Sequence, residues 1–74
     1  MHRDLFDKLF GLSKKRSMYH FRLDINDAEE IAQITVIKFH QKDIENTLAE
    51  SKYKKWICTT TDNNCLDLMK KRRN

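Results

Sequence analysis

The 74-residue sequence contains no proline, one glycine and only two cysteines, and it lacks any long apolar run. Two cysteines are too few for the disulfide framework that stabilises many small secreted domains, which indicates a reducing compartment. No segment approaches the roughly 20 apolar residues of a membrane-spanning helix. The residues after Met1 form a charged segment unlike a signal peptide. The sequence therefore predicts a soluble, cytoplasmic protein that does not contact a membrane.

The features of a catalytic site are also missing. Gly11 stands alone, so the chain has no glycine-rich loop to hold a phosphate. Cys58 with His20 or His40 is the only pairing of a nucleophile with a base, and no glycine turn is available to stabilise an oxyanion. With 39% hydrophobic and 35% charged residues, so short a chain has little core from which to build a closed pocket. We predict a binding protein that is not an enzyme and holds no cofactor.

The spacing of Cys58 and Cys65 leaves several states open. A hairpin between them would place the two thiols opposite each other, where they could stay reduced, form a disulfide or supply half of a metal site. The spacing is not that of a zinc knuckle, and His2, His20 and His40 do not cluster with the cysteines in sequence. We expect two reduced, partly buried thiols and no metal.

The charged residues fall into three blocks. Residues 1–23 carry six basic and two acidic side chains, residues 24–50 carry two basic and seven acidic ones, and residues 51–74 carry seven basic and two acidic ones. The net charges of the blocks are therefore +4, −5 and +5. Basic ends around an acidic middle point to charged partners.

The apolar pattern of the first third predicts a helix followed by a strand. Residues 1–12 repeat apolar side chains at helical spacing and predict an amphipathic helix. Residues 13–17 are polar and basic, which is typical of a linker. From residue 18 to residue 25 apolar and polar side chains alternate, as in a half-buried strand.

The rest of the chain predicts helices and a hairpin. Asn26 and Glu29 have the spacing of a capping box, which would begin a helix. Residues 31–39 suit a helix by their apolar stripe and a strand by their β-branched run, so both remain open. A second helical segment is predicted over residues 43–55. Residues 56–69 contain two β-rich arms around a polar turn, the pattern of a hairpin.

We therefore predict an α+β fold with a short N-terminal helix, a central strand, one bent or two helices, and a C-terminal β-hairpin. Residues 1–74 form a single small domain in this interpretation. Its α+β core spans residues 18–69, and residues 70–74 form a basic mobile tail.

The order of basic arm, strand, capped helix, joint and second helix over residues 14–56 resembles that of ribbon-helix-helix repressors. In that family, strands from two subunits pair and enter the major groove of DNA. The resemblance implies a homodimer, with bases contacted by the polar face of the strand, here His20, Arg22 and Asp24.

Clusters of basic residues beside aromatic ones predict contact with nucleic acid. Lysine and arginine attract phosphates, and aromatic rings stack on the bases of single strands. Two clusters, at residues 14–16 and 52–55, lie close in sequence to aromatic residues. The candidate residues for binding RNA or DNA are Lys14, Lys15, Arg16, Arg22, Lys52, Tyr53, Lys54, Lys55, Trp56, Lys70, Lys71, Arg72 and Arg73.

An alternative hypothesis is an inhibitor or adaptor that binds a host protein. The lack of proline, with many lysine, asparagine and isoleucine residues, is typical of AT-rich genomes such as those of phages, and implies action in the host cytoplasm. An apolar helix face can enter a groove on a partner, and an acidic helix can occupy a basic site. The candidate residues are Leu5, Phe6, Leu9, Phe10, Asp27, Glu29 and Glu30.

Overall fold

A computed structural model describes the backbone of residues 3–73 and the side chains of residues 3–72. No strand occurs in this part of the chain. The elements are helix α1 (Arg3–Tyr19), helix α2 (Ile25–Gln41), a short helix α3 (Ile44–Thr47), a 3₁₀ helix (Glu50–Lys52) and helix α4 (Tyr53–Arg73). The predicted α+β fold is therefore wrong, because the described chain is a helical bundle.

The three long helices run up, down and up. Ser13 of α1 hydrogen-bonds to Thr61 of α4, and Ser17 hydrogen-bonds to Cys65. The two pairs have the same sequence offset, so α1 and α4 are parallel. The end of α4 contacts Asp27 at the start of α2, so α2 is antiparallel to both. Short connections between antiparallel neighbours are usual in such bundles.

Residues 18–25, predicted as the central strand, form the end of α1 and its connection to α2. Helix α1 continues through the predicted linker, residues 13–17, because Ser13 and Ser17 lie four residues apart on the face that packs into the bundle. Tyr19, an apolar position of the predicted half-buried strand, is 77% exposed. Without a strand, the resemblance to ribbon-helix-helix repressors does not hold.

Helix α2 is capped by Asp24 and not by Asn26 as predicted. The Asp24 carboxylate accepts a hydrogen bond from the backbone N–H of Asp27 at 2.8 Å. Residues 31–39 are helical throughout, which settles the two alternatives. The buried hydroxyl of Thr35 donates to a backbone carbonyl one turn earlier, so a β-branched polar residue is accommodated inside the helix.

The predicted C-terminal hairpin is the interior of α4. Residues 61–64, whose polarity indicated a turn, face the other helices in part, and Thr61 is fully buried. Residues 70–73, predicted as part of a mobile tail, continue the helix. The side chain of Arg73 and all of Asn74 lie outside the described residues.

The connection between α2 and α4 replaces the predicted helix over residues 43–55. Asp43 adopts the left-handed conformation, with φ of 53°, and so ends the path of α2. Leu48 is extended and ends α3 after a single turn. Ile44, which is 8% exposed, anchors this connection to the core.

The apolar core lies at the end of the bundle where α4 begins. Its buried members are Leu9, Val36, Phe39, Ile44, Tyr53 and Ile57. The ring of Phe39 is fully buried and meets Tyr53 and Trp56 edge-on, at centroid distances of 5.1 and 5.7 Å. These contacts hold the first turn of α4 against α2.

Polar side chains hold the other end of the bundle together. Ser13 Oγ lies 2.6 Å from Thr61 Oγ1, and the thiol of Cys65 donates to Ser17 Oγ at 3.4 Å. Among the described residues, no buried side-chain nitrogen or oxygen lacks a hydrogen-bond partner. Because these groups are satisfied by one another, the layer can be buried without a large desolvation penalty.

Gly11 lies within α1, where glycine is unfavourable. Its φ is not positive, and a Cβ added there would meet no atom within 4 Å. We expect Gly11→Ala to raise the free energy of unfolding by about 0.5–1 kcal/mol, because alanine loses less backbone entropy in a helix. Urea denaturation of the two proteins measures the difference. A variant less stable than the wild type would contradict the environment described for Gly11.

Candidate nucleic-acid interface

Several predicted nucleic-acid-binding residues are paired with acidic side chains. Three ion pairs join the basic ends of the sequence to acidic residues: Arg16–Asp62, Arg72–Asp27 and Lys14–Glu29. Their shortest N···O distances range from 2.5 Å for the first pair to 3.9 Å for the last. Folding thus neutralises part of the charge that the sequence concentrates at its ends.

The pair of Arg16 and Asp62 has the closest geometry, with two hydrogen bonds from one guanidinium to one carboxylate. These hydrogen bonds hold the pKa of Asp62 below its usual value. A carboxylate with a lowered folded-state pKa stabilises the fold above its unfolded pKa of about 3.9, and this contribution is lost as the pH falls through the folded-state pKa.

We therefore expect Asp62→Asn to lower the free energy of unfolding at pH 7 by about 1 kcal/mol, since the pair is partly exposed. The same variant should lose less stability than the wild type on acidification below about pH 4. Thermal melts from pH 7 to pH 2.5 measure both effects. Equal acid sensitivity of the two proteins would show that this pair does not contribute.

A separate basic cluster lies at the start of α4. Lys52, Lys54 and Lys55 are exposed, and none forms an ion pair within residues 3–72. The first turn of α4 contains no acidic residue. Because the amino-terminal end of a helix carries partial positive charge, acidic side chains would stabilise it and lysines do not. The cluster and the helix end together concentrate positive charge at the start of α4.

Two of these lysines border a hollow that is walled by the ring of Trp56. The hollow has a volume of about 290 Å³. Its lining residues are Leu48, Lys52, Lys55, Trp56, Thr59 and Thr60. Trp56 is half-buried, and its ring lies at 72° to that of Phe39. This Trp56 hollow combines an aromatic surface, two ammonium groups and two hydroxyls.

The helical repeat of α4 brings these side chains together. Lys55 and Thr59 are four residues apart and so lie on one side of α4, and Lys52 ends the 3₁₀ helix that leads directly into α4. The connection before α4 contributes Leu48. Leu48, Thr59 and Thr60 were not among the predicted residues, because the strand predicted after residue 55 would have placed successive side chains on opposite faces.

Tyr53, also predicted to stack on a base, is part of the core. It is 8% exposed, and its hydroxyl donates to the backbone carbonyl of Glu45 at 2.7 Å. Its ring lies edge-on to Phe39. The aromatic surface available to a ligand at this end of α4 is therefore that of Trp56.

The remaining predicted cations are dispersed. Lys15 and Arg22 are exposed in the first half of the chain, at α1 and just beyond its end. Lys70 and Lys71 are exposed near the end of α4, opposite to the Trp56 hollow along the helix axis. Arg22, Lys70 and Lys71 do not lie beside the lysines at the start of α4, whereas Lys15 and Lys54 both line a cleft between α1 and α4.

The residues predicted to bind a protein are divided between core and surface. Leu9 is a core residue, and Leu5 and Phe10 pack against the core. Phe6 is 39% exposed and stacks on Phe10 at a centroid distance of 6.0 Å. Among the acidic candidates, Glu30 is exposed. The other two are in the ion pairs named above.

The two thiols do not face each other, so the hairpin arrangement expected for them is wrong. Cys58 is half-buried, Cys65 is buried, and both are free. They lie about 10 Å apart along α4, too far for a disulfide. Burial raises the pKa of the Cys65 thiol.

Two further features of the described part of the chain concern metals and membranes. Within residues 3–72, no group of three or more histidine, cysteine, aspartate or glutamate side chains is arranged to hold a metal ion. None of the described helices has the length and apolar character needed to cross a membrane.

Comparison of the chain with protein families, with curated proteins and with solved structures finds no match.

Proposed function

We propose that the protein binds single-stranded nucleic acid at the Trp56 hollow. A base stacks on the ring of Trp56, and the flanking phosphates contact Lys52 and Lys55. The hydroxyls of Thr59 and Thr60 donate hydrogen bonds to the sugar–phosphate backbone. The protein acts in the cytoplasm, where its free thiols remain reduced.

The grouping of Trp56 with two lysines that form no ion pair within residues 3–72 carries this proposal. Elsewhere in the described chain, Arg16, Arg72 and Lys14 are engaged by carboxylates. At the start of α4, positive charge and an accessible aromatic surface coincide in one concave site. Stacking on such a ring is worth about 1–3 kcal/mol for each base and tolerates any sequence.

A single strand fits this site better than a duplex. The ring of Trp56 lies inside a hollow, so a base must leave its helical stack to reach it. A single strand exposes its bases at little energetic cost, whereas a duplex must first be opened. Weak sequence preference is expected, since stacking and phosphate contacts do not depend on base identity.

Fluorescence anisotropy with labelled oligonucleotides of about 12 nucleotides tests the proposal. The single strand should bind more tightly than the duplex of the same sequence. The logarithm of its affinity should fall linearly with the logarithm of salt concentration, with a slope of about −1.4 to −2 for two or three phosphate contacts. Binding that does not depend on salt, or equal affinity for the duplex, would overturn it.

The outer face of α2 favours a second candidate function, binding of a protein partner. Ile34 is 36% exposed and Ile37 is 52% exposed, and they lie on one side of the helix beside Glu30. A groove of about 260 Å³ between α2 and α4 includes Ile34 and Leu68. Exposed branched apolar residues in so small a protein are typical of an interaction surface.

Affinity capture from nuclease-treated lysate separates the two candidates. If α2 binds a protein, the wild type should retain a stoichiometric partner that Ile34→Asp/Ile37→Asp loses. The variant Phe6→Asp, which places the same charge at another exposed apolar residue, is the control and should retain it. A partner retained by the α2 variant would count against this surface.

A further inference from the structure

A second concave site lies between α1 and the start of α4. This cleft has a volume of about 490 Å³. Its apolar lining comes from Leu5, Leu9, Leu12 and Tyr53, and its charged lining from Asp7, Lys8, Lys15, Glu50 and Lys54. Gly11 completes it. Neither the nucleic-acid site nor the outer face of α2 uses this cleft.

Gly11 is the feature that the internal structure does not explain. It is the only glycine in the sequence, and it lies in the middle of a helix that alanine would stabilise. A Cβ there would meet nothing within 4 Å, so no other part of the described chain requires its absence. Gly11 keeps open a space along the cleft that the folded chain itself does not fill.

The side chains around Gly11 follow the pattern of a helix-packing seam. Leu5, Leu9 and Leu12 are spaced by four and three residues, as in the apolar seam of a coiled coil; they pack on the chain's own core and also form the apolar floor of the cleft. Lys8 and Lys15 lie seven residues apart on one edge of that seam. None of the three cleft lysines forms an ion pair within the described residues. Gly11 lies between Lys8 and Lys15 on that edge, and a second backbone can approach closely there.

We propose that the cleft binds an amphipathic helix of a partner protein, with an apolar face flanked by acidic residues. The stretch from Leu5 to Lys15 spans roughly 15 Å, the length of about three helical turns. A helix laid there would convert three long helices into a four-helix bundle. Its carboxylates, repeated every seven residues, would pair with Lys8 and Lys15, the arrangement that sets partner choice in coiled coils.

The acidic side chains of the cleft fix where the pairing occurs. The constant offset between α1 and α4 places Glu50 level with the beginning of α1, at one end of the cleft, and Lys54 near the level of Phe6. Asp7 also lies toward that end of α1, so the stretch toward Lys15 is the more positive part. The partner's acidic residues belong beside that stretch.

Two designed helical peptides of about 20 residues test the proposal. The acidic peptide has leucine at the seam positions and glutamate at both flanks. The basic peptide has lysine in place of every glutamate. The flanking glutamates also prevent the peptide from pairing with itself. Gly11 gives the only glycine amide signal of the chain in a ¹H–¹⁵N correlation spectrum. We expect the acidic peptide to shift this signal saturably and the basic peptide to leave it unchanged.

Two variants of the full chain sharpen the result. Gly11→Leu places a side chain where an added Cβ meets no atom within 4 Å, and it should weaken binding of the acidic peptide at least tenfold. Lys8→Glu/Lys15→Glu should reverse the preference between the peptides. Lys70→Glu/Lys71→Glu, far along α4, is the matched control and should bind like the wild type.

Three outcomes would overturn the proposal. They are equal binding of both peptides, binding that leaves the Gly11 signal unmoved, and wild-type affinity in Gly11→Leu. Sedimentation of the free chain tests whether a second copy of the chain occupies the cleft. Dimerisation that Gly11→Leu abolishes would assign the cleft to self-association instead.

Discussion

Replacement of Phe39 by alanine should lower the free energy of unfolding by about 3–5 kcal/mol. The ring is fully buried and contacts both Tyr53 and Trp56, so its loss leaves a cavity at the joint of α2 and α4. A chain of 74 residues has a total stability of roughly 4–11 kcal/mol. Phe39→Ala therefore removes a large share of it, which chemical denaturation followed by circular dichroism measures.

The matched control is Phe6→Ala. Phe6 is 39% exposed, and its main ring contact is with Phe10 on the same helix. We expect this variant to lose less than about 1 kcal/mol. Similar losses in the two variants would mean that the core is not centred on Phe39.

Neutralising the two lysines of the Trp56 hollow should abolish most of the affinity for single strands. In Lys52→Gln/Lys55→Gln, two phosphate contacts are lost while the size of the side chains is nearly kept. We expect affinity at low salt to fall at least about tenfold, equivalent to 1.4 kcal/mol, and the salt slope to become shallower by about 1.4. Anisotropy titrations at several salt concentrations measure both quantities.

The control Lys70→Gln/Lys71→Gln makes the same change in net charge at the other end of α4. These residues lie about 21–23 Å from Trp56 along the helix, beyond the Debye length of about 8 Å at physiological salt. Their variant should keep its affinity within about twofold. If both double variants lose affinity equally, binding depends on overall charge and the hollow is not the site.

The buried polar residues explain why the sequence did not predict a helical bundle. Ser13 and Ser17 lie between charged neighbours and resemble a linker, yet both are fully buried. Thr61 and Cys65 on α4 supply their partners from 48 residues away. A hydrogen bond over that separation cannot be inferred from the local sequence pattern. The two serines therefore predict a loop in sequence, although they are buried in the bundle.

Part of the candidate site could be predicted. The cluster of Lys52, Lys54 and Lys55 beside Trp56 is visible in sequence, and the structure places two of these lysines with the ring in one hollow. The pairing of Arg16 with Asp62 was not predictable, because 46 residues separate them. Only the fold shows which cations are neutralised within the chain.

Net charge alone would therefore mislead about the binding surface. The sequence places seven basic residues after residue 50, but folding brings Arg72 against the acidic start of α2. The lysines at the start of α4 have no such partner among residues 3–72, and they oppose the dipole of their own helix. An anion bound there would relieve that repulsion.

The fluorescence of Trp56 tests the central claim most directly, because it is the only tryptophan in the chain. Titration with an unlabelled single strand at low salt should quench its emission to saturation, with the midpoint found by anisotropy, and added salt should restore it. Tight binding of the strand with unchanged Trp56 emission would contradict the claim.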